Sequence, residues 1–262
     1  MFALACEDQE ILVNPADGAL KELKLVHSGR GVPVKALTLE QQRLFLDFVK
    51  RSDTYAHWYP LFSFLLGTGM RIGETFGLRW KDVDLDAKVI SVNHNLVYYQ
   101  HGDGKCKFEI TPPKTKAGVR TIPMINSVRE ALEAEKSYQQ EKGIKYRIRI
   151  DGNRDFIFLN MNGSVHNQGT VNRAIKRIVR DYNDEVISSG LLQKDQVLLP
   201  YFSCHCFRHT FATRMIEAGV NLKVVQTVLG HTDITTTMNI YADVTSRFMN
   251  TELSALEEYL ES

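Results

Sequence analysis

Three separated segments of this 262-residue chain hold residue types that could bind a phosphate and activate a hydroxyl nucleophile. A guanidinium group donates two parallel hydrogen bonds to a phosphate and keeps its charge at neutral pH. A histidine can accept a proton near pH 7, and a tyrosine hydroxyl attacks once a neighbouring base removes its proton. The segments are Arg71-Ile-Gly-Glu74, His205-Cys-Phe-Arg208-His209, and Leu229-Gly-His231 with Tyr241 ten residues later.

Taken singly, each segment has a simpler interpretation. An arginine three residues before a glutamate on a helix is usually a surface ion pair, and a lone histidine or tyrosine is usually structural. Cys204–His209 contains two cysteines and two histidines that resemble a zinc site. However, Cys-x-Cys lacks the usual gap, and no second ligand pair lies at finger-like spacing. We therefore expect no metal, and no single segment identifies the function.

The composition is that of an ordinary globular domain, with 44% hydrophobic and 24% charged residues. No apolar run approaches the roughly 20 residues of a membrane span, and the N-terminus lacks the basic start of a signal peptide. The four cysteines lack a disulfide framework, which favours a reducing, cytoplasmic setting. The net charge is only +1, but basic residues gather at Lys105–Arg120 and Arg173–Arg180, so a positive face is expected.

Hydrophobic periodicity predicts a mainly α-helical α+β domain with one small antiparallel sheet. Two capping boxes, at Thr38–Gln41 and Ser127–Glu130, are expected to open helices, the second running to about Lys142. Strands are predicted in the segments 89–94, 108–110 and 121–123, with a hairpin turn at 101–104. The other expected helices are 57–66, 71–79, 170–182, 205–218, 222–229 and 235–241.

In this order and with these neighbours, the three segments resemble the tyrosine recombinase (phage integrase) family. The segment Pro113–Pro123, PKTKAGVRTIP, looks like the strand–turn–strand that bears the family's catalytic lysine. The resemblance extends over about residues 36–250 and is greatest to integrases of conjugative transposons and integrative conjugative elements. It implies the tyrosine recombinase catalytic-domain fold, with a β-hairpin insertion at His94–Thr111.

The resemblance also implies how each residue acts in cutting and rejoining DNA through a 3′-phosphotyrosine. Tyr241 is the expected nucleophile, His205 its base and His231 a hydrogen-bond donor to the phosphate. Lys116 or Lys114 would protonate the leaving 5′-oxygen, with Lys116 preferred. Glu74 would orient its neighbours and His209 would be structural. Neither a cofactor nor a metal is expected. The implied catalytic set is Arg71, Lys116, His205, Arg208, His231 and Tyr241.

The expected partner is double-stranded DNA at attachment or transposon-end sites, with no membrane association. Four basic residues at i, i+3, i+4 and i+7 of a predicted helix form a stripe on one face, namely Arg173, Lys176, Arg177 and Arg180. Such a stripe could simply face solvent, but together with the catalytic resemblance it favours contact with DNA. The DNA-contacting residues are therefore predicted to be Arg173, Lys176, Arg177, Arg180 and Lys114.

The predicted domain organisation has four parts. Residues 1–24 look like the last helix of a core-binding domain, 25–36 like a linker, 37–250 like the catalytic domain and 251–262 like an amphipathic tail helix. In the family such tails often dock on an adjacent protomer in a tetramer, although packing on its own domain stays open. The tail is acidic, with four glutamates and no basic residue.

Three other kinds of protein share some of these features. A type IB topoisomerase uses similar residues but relaxes DNA without strand exchange. A DNA-binding protein that had lost catalysis would be expected to lack at least one of the catalytic positions, and all are present. A zinc-dependent regulator is disfavoured by the cysteine spacing.

Overall fold

The structure is a computed structural model that describes residues 36–100, 102, 104–113, 115–147, 149–188 and 197–245. The segment predicted to be a domain remnant, nearly all of the predicted linker, the predicted tail helix and Lys114 lie outside these residues. Among the described helices, none combines the length and apolar character that a membrane span needs.

The described residues form a mainly helical α+β fold, which confirms the predicted class. Strands β1 (Val83–Asp84), β2 (Val89–Val92) and β5 (Arg120–Pro123) make an antiparallel sheet in the order β1-β2-β5, and β3 (Asn95–Gln100) pairs with β4 (Cys106–Thr111) as a separate hairpin. The helices are α1 (Leu39–Arg51), α2 (Tyr59–Thr68), α3 (Ile72–Gly77), α4 (Asn126–Glu141), α5 (Gln168–Ser188), α6 (His205–Glu217), α7 (Leu222–Leu229) and α8 (residues 234–245).

Aromatic rings at the centre of the main core fix α6 against α1 and α2. The ring of Phe62 lies 5.2 Å from that of Phe45 and 5.3 Å from that of Phe207. All three rings are fully buried, and large buried aromatic side chains dominate the energy of a core. Because Phe207 directly precedes Arg208, this packing also fixes the position of the Arg208 backbone.

A second buried cluster attaches α8 to α6 and α7. Its members are Ala212, Ile216, Val225, Leu229, Ile240 and Val244. Ile240 and Val244 lie four residues apart, so they share the inward face of α8. Tyr241 follows Ile240 and is therefore turned away from this apolar contact, with 38% of its surface exposed.

The first predicted capping box is confirmed and the second is wrong. Thr38 accepts a hydrogen bond from the Gln41 amide, and the Gln41 side chain accepts one from the Thr38 amide. The helix α4 instead begins after Ile125, whose carbonyl accepts from the amides of Val128 and Arg129. Ser127 consequently lies within the first turn and cannot be the cap.

Several predicted boundaries also shift. The helix predicted at 71–79 is confined to Ile72–Gly77, and the strand predicted at 89–94 ends at Val92. His94, just beyond the end of β2, is buried and hydrogen-bonds the Gly77 carbonyl at the end of α3. The helix predicted at 170–182 is longer, at Gln168–Ser188, and the partly buried Val186 of its extension packs against the main core.

Candidate active site

Arg208 is a buried cation held by the carbonyl ends of two helices. It is 6% exposed, and its Nη1 donates to the Gly69 oxygen at 2.9 Å while Nη2 donates to the Leu229 oxygen at 2.6 Å. These carbonyls end α2 and α7, where the helix dipole is negative and a guanidinium is stabilised. Burial, and then the nearby charge of Arg71, lowers the pKa of Arg208 to about 9, so it stays cationic at pH 7.

Arg71 points toward the same carbonyl region from a different element. It immediately precedes α3 rather than lying on it, and its backbone amide donates to Glu74 Oε2 at 3.0 Å. Its Nη1 donates to Glu74 Oε1 at 2.8 Å and its Nη2 to the Gly230 oxygen at 3.4 Å. Because 44% of its side chain is exposed, Arg71 remains accessible to a ligand.

Glu74 is the carboxylate at the centre of this cluster. The arginine–glutamate pair is therefore not the surface ion pair of the simpler interpretation, since Glu74 is only 5% exposed. A second guanidinium, that of Arg120, donates to its Oε2 at 2.8 Å. Burial alone would raise the pKa of Glu74, but the hydrogen bonds and charges of Arg120 and Arg71 outweigh it and hold the pKa below the usual value.

Two histidines approach the guanidinium groups and are both held neutral at pH 7. His205 opens α6, and its pKa is lowered by burial, then by the charges of Arg208 and Arg71. The pKa of His231 is lowered to about 4, first by burial and then by Arg208 and Arg71. A neutral imidazole can accept a proton at one nitrogen and donate a hydrogen bond from the other.

Thr237 connects His231 to the helix that carries Tyr241. The His231 Nδ1 lies 3.0 Å from the Thr237 hydroxyl, and Thr237 is fully buried. Tyr241 lies four residues later, on the same side of α8 one turn on. Within the described part of the chain, no hydrogen bond joins the Tyr241 hydroxyl to Arg71, Arg208 or a histidine.

Lys116 is exposed at the start of a 3₁₀ turn that touches the segment after α7. The Thr232 hydroxyl donates to that of Thr115 at 3.2 Å. Gly230 has a φ of +64°, and a Cβ there would lie 2.8 Å from the Ala117 oxygen. Only glycine allows this close approach, so the turn and the His231 segment are directly packed.

The basic stripe lies outside this cluster, on the exposed face of α5. Arg173, Lys176, Arg177 and Arg180 are all exposed, and Arg180 pairs with Asp181 at 2.7 Å. On the same helix, the Asn172 side chain accepts a hydrogen bond from the Cys204 amide at 2.9 Å. This contact joins the start of α5 to the residue that precedes His205.

Sequence reasoning missed two residues of the cluster. Arg120 shares the inward face of β5 with Ile122, and a cation on that face is a signal that could have identified it. Thr237 gave no such signal, because its contact with His231 depends on tertiary packing.

The arrangement suits an anion rather than a metal ion. Three guanidinium groups surround one carboxylate, so the cluster has a surplus of positive charge. No group of three histidine, cysteine, aspartate or glutamate side chains that could hold a metal occurs among the residues that the structure describes.

Comparisons with known proteins show the family of the chain. The model of the phage integrase family matches residues 35–247. The transposase from transposon Tn916 of Enterococcus faecalis is 34% identical over 257 residues, which cover 98% of this chain and 59% of that protein. A XerC-like tyrosine recombinase of Caldanaerobacter subterraneus is 30% identical over 190 residues, covering 70% of this chain and 45% of that one.

Among solved structures, the Tn1549 transposon integrase (residues 82–397) in complex with circular intermediate DNA is similar, with a TM-score of 0.71 and 35% identity. The match covers 89% of this chain and 71% of that one. The chain spans 59% of the length of the Tn916 transposase, and 98% of the chain is covered by that match. Through its matched family model, its relatives and its fold, the chain belongs to the phage integrase family of tyrosine recombinases.

Proposed function

We propose that this chain is the catalytic domain of a site-specific DNA recombinase of a mobile element, which cuts and rejoins strands through a covalent phosphotyrosine at Tyr241. The observation that carries the proposal is the surplus of positive charge where Arg71 and Arg208 converge on the helix ends at Gly230 and Leu229. A phosphodiester is the anion that such paired guanidinium forks fit best.

In the proposed reaction, the Tyr241 oxygen attacks the scissile phosphorus and the bond to the 5′-oxygen breaks. His205 is neutral at pH 7 and takes the phenol proton, while Lys116, or Lys114 beside it, gives a proton to the leaving oxygen. Arg71 and Arg208 stabilise the charge that develops on the nonbridging oxygens. The phosphate bond energy is kept in the phosphotyrosine, and attack by a 5′-hydroxyl reverses the step.

His231 acts as a hydrogen-bond donor to the phosphate. With a pKa of about 4 it is neutral, and the Thr237 hydroxyl is placed to donate to its Nδ1. That tautomer leaves the proton on Nε2, available to a nonbridging oxygen. Thr237 thereby links His231, the proposed phosphate contact, to α8, the helix that carries Tyr241.

The proposed partner is double-stranded DNA at attachment or transposon-end sites. The exposed stripe Arg173, Lys176, Arg177 and Arg180 supplies phosphate contacts, which give affinity without reading sequence. Lys114 would add another. Assembly as a tetramer on DNA through residues 251–262, and a bacterial cytoplasmic location, complete the proposal.

A nicked duplex that carries the element's own end sequence tests the proposal. The nick traps cleaved product, so the protein should form a DNA adduct that survives denaturant. Tyr241→Phe should abolish the adduct and keep DNA binding. Tyr59→Phe, which removes a phenol hydroxyl from the start of α2, should leave adduct formation unchanged. Adduct formation by the Tyr241→Phe protein contradicts the proposal.

Strand exchange distinguishes a recombinase from a type IB topoisomerase. A recombinase should join the trapped strand to a second end sequence supplied in trans. Relaxation of supercoiled plasmid with no strand exchange between two end sequences would instead favour the topoisomerase.

A further inference from the structure

Arg120 is a charged side chain in the interior that binds three segments at once. Only 4% of its side chain is exposed. Its Nε donates to the Val228 oxygen at 2.6 Å, its Nη1 to the Gly118 oxygen at 3.2 Å and its Nη2 to Glu74 Oε2 at 2.8 Å. Burying a guanidinium costs stability unless it is paired and hydrogen-bonded, as this one is.

Each contacted segment carries a different group of the proposed reaction. Gly118 ends the 3₁₀ turn that begins at Lys116, and Val228 precedes His231 by three residues. Glu74 is the partner that holds the Arg71 guanidinium. The guanidinium group of Arg120 therefore fixes the spacing between the Lys116 turn, the His231 segment and Arg71.

The charge of Arg120 has a separate consequence for Arg71. Glu74 carries one negative charge and pairs with both guanidinium groups. Without Arg120, that carboxylate would neutralise Arg71 alone and weaken its attraction for a phosphate. With Arg120 present, the three groups keep a net positive charge.

We infer that Arg120 is a positioning residue, which couples the Lys116 turn to the Arg71 guanidinium and keeps the charge of Arg71 available to the scissile phosphate. The inference rests on the proposed function. A lysine at this position keeps the charge but loses the fork, so it cannot hold Val228, Gly118 and Glu74 together.

The test compares cleavage of two nicked duplexes. One is ordinary DNA, and in the other sulfur replaces the 5′-bridging oxygen of the scissile phosphate. A thiol has a pKa near 8.5, so the sulfur leaves as a thiolate without a proton from Lys116. The second substrate therefore bypasses the proton donor while still requiring Arg71.

For Arg120→Lys, we expect cleavage of ordinary DNA to fall by about 10²-fold, the loss typical of a misplacement near 1 Å. On the sulfur substrate the loss should shrink to about tenfold, because only the displacement of Arg71 remains. Thr121→Ala, at the neighbouring exposed position of β5, should match the unchanged protein on both substrates. Equal losses on the two substrates, or no loss, overturn the inference.

A second variant guards against a general folding defect in Arg120→Lys. A Cβ at Gly118 would lie 2.5 Å from the Pro113 Cβ, so Gly118→Ala should displace the turn while every guanidinium group is kept. Its defect on ordinary DNA should shrink on the sulfur substrate, as for Arg120→Lys. Equal defects on the two substrates would count against the inference, because the turn would then not supply the proton to the leaving oxygen. Failure of the unchanged protein to form any adduct defeats the proposed function itself, whereas wild-type behaviour of both variants defeats only this inference.

Discussion

Glu74 and Glu135 are two similarly buried carboxyl groups whose pKa values are shifted in opposite directions. Glu74 is 5% exposed and Glu135 is 3% exposed. The pKa of Glu74 is lowered because Arg120 and Arg71 outweigh the effect of burial. Burial raises the pKa of Glu135 to about 7, and its only described hydrogen-bond partner is Gln139, at 2.6 Å.

The surroundings of Glu135 explain the difference. It lines a cavity of about 250 Å³ together with Trp58, Tyr138 and His166. Burial lowers the pKa of His166 to about 4, so that histidine is neutral at pH 7 and offers no charge. A buried acid with only an amide as its partner gives up its charge readily, whereas Glu74, paired with two guanidinium groups, retains it. Glu74 stays charged because guanidinium groups pair with it, and those same groups are the ones that an anion could bind.

Glu74→Gln should give the largest effect, because it removes the carboxylate that lies among three guanidinium groups. We expect the free energy of unfolding at pH 7 to fall by about 3–5 kcal/mol, as when one partner of a buried pair is removed. Since the pKa of Glu74 is lowered, the carboxylate stabilises above the unfolded pKa of 4.5, and the difference from wild type should narrow as the pH falls below it. Denaturant unfolding between pH 3 and 8 measures this. An unchanged unfolding midpoint at pH 7 would contradict the proposed difference between Glu74 and Glu135.

Glu135→Gln is the matched substitution and should act in the opposite direction. The folded pKa is raised from 4.5 to about 7, so ionisation costs the folded state up to about 3 kcal/mol once both states are charged. The variant should therefore be more stable than wild type at pH 8 and equal to it below pH 4.5. The same unfolding series checks this, with DNA cleavage expected to be unchanged. A destabilised variant at pH 8 would show that Glu135 has a cationic partner.

Lys176→Ala should give the smallest effect, since it tests the exposed stripe rather than the buried cluster. We expect DNA affinity to weaken several-fold for every sequence, and the slope of log affinity against log salt to drop by about 1. Lys142→Ala removes another exposed lysine, which follows α4 and pairs with Glu141, and is the control. An identical slope for Lys176→Ala and wild type would remove α5 from the proposed DNA surface.

The fold class and most helices could be predicted from sequence because apolar spacing and caps are local. Thr38–Gln41 is such a case, and its box forms as expected. The second box failed because the carbonyl of Ile125, just after β5, starts α4 earlier than the side chains suggest. Local patterns cannot show where tertiary packing ends one element and begins the next.

The cluster was predictable only in part. Residue type and order indicated Arg71, Arg208 and the histidines, and the structure brings these together. The role of Arg120 depends on carbonyls of Gly118 and Val228, which every residue possesses, so side-chain identity alone could not show it.

The most direct test of the central claim is the position of the scissile phosphate in a crystal of the Tyr241→Phe protein bound to its end sequence. We predict that its nonbridging oxygens lie within hydrogen-bond distance of the Arg71 and Arg208 guanidinium groups, with the substituted aromatic ring on α8 beside the phosphorus. A scissile phosphate bound elsewhere, with Arg71 and Arg208 contacting only Glu74 and the helix-end carbonyls, would contradict the account.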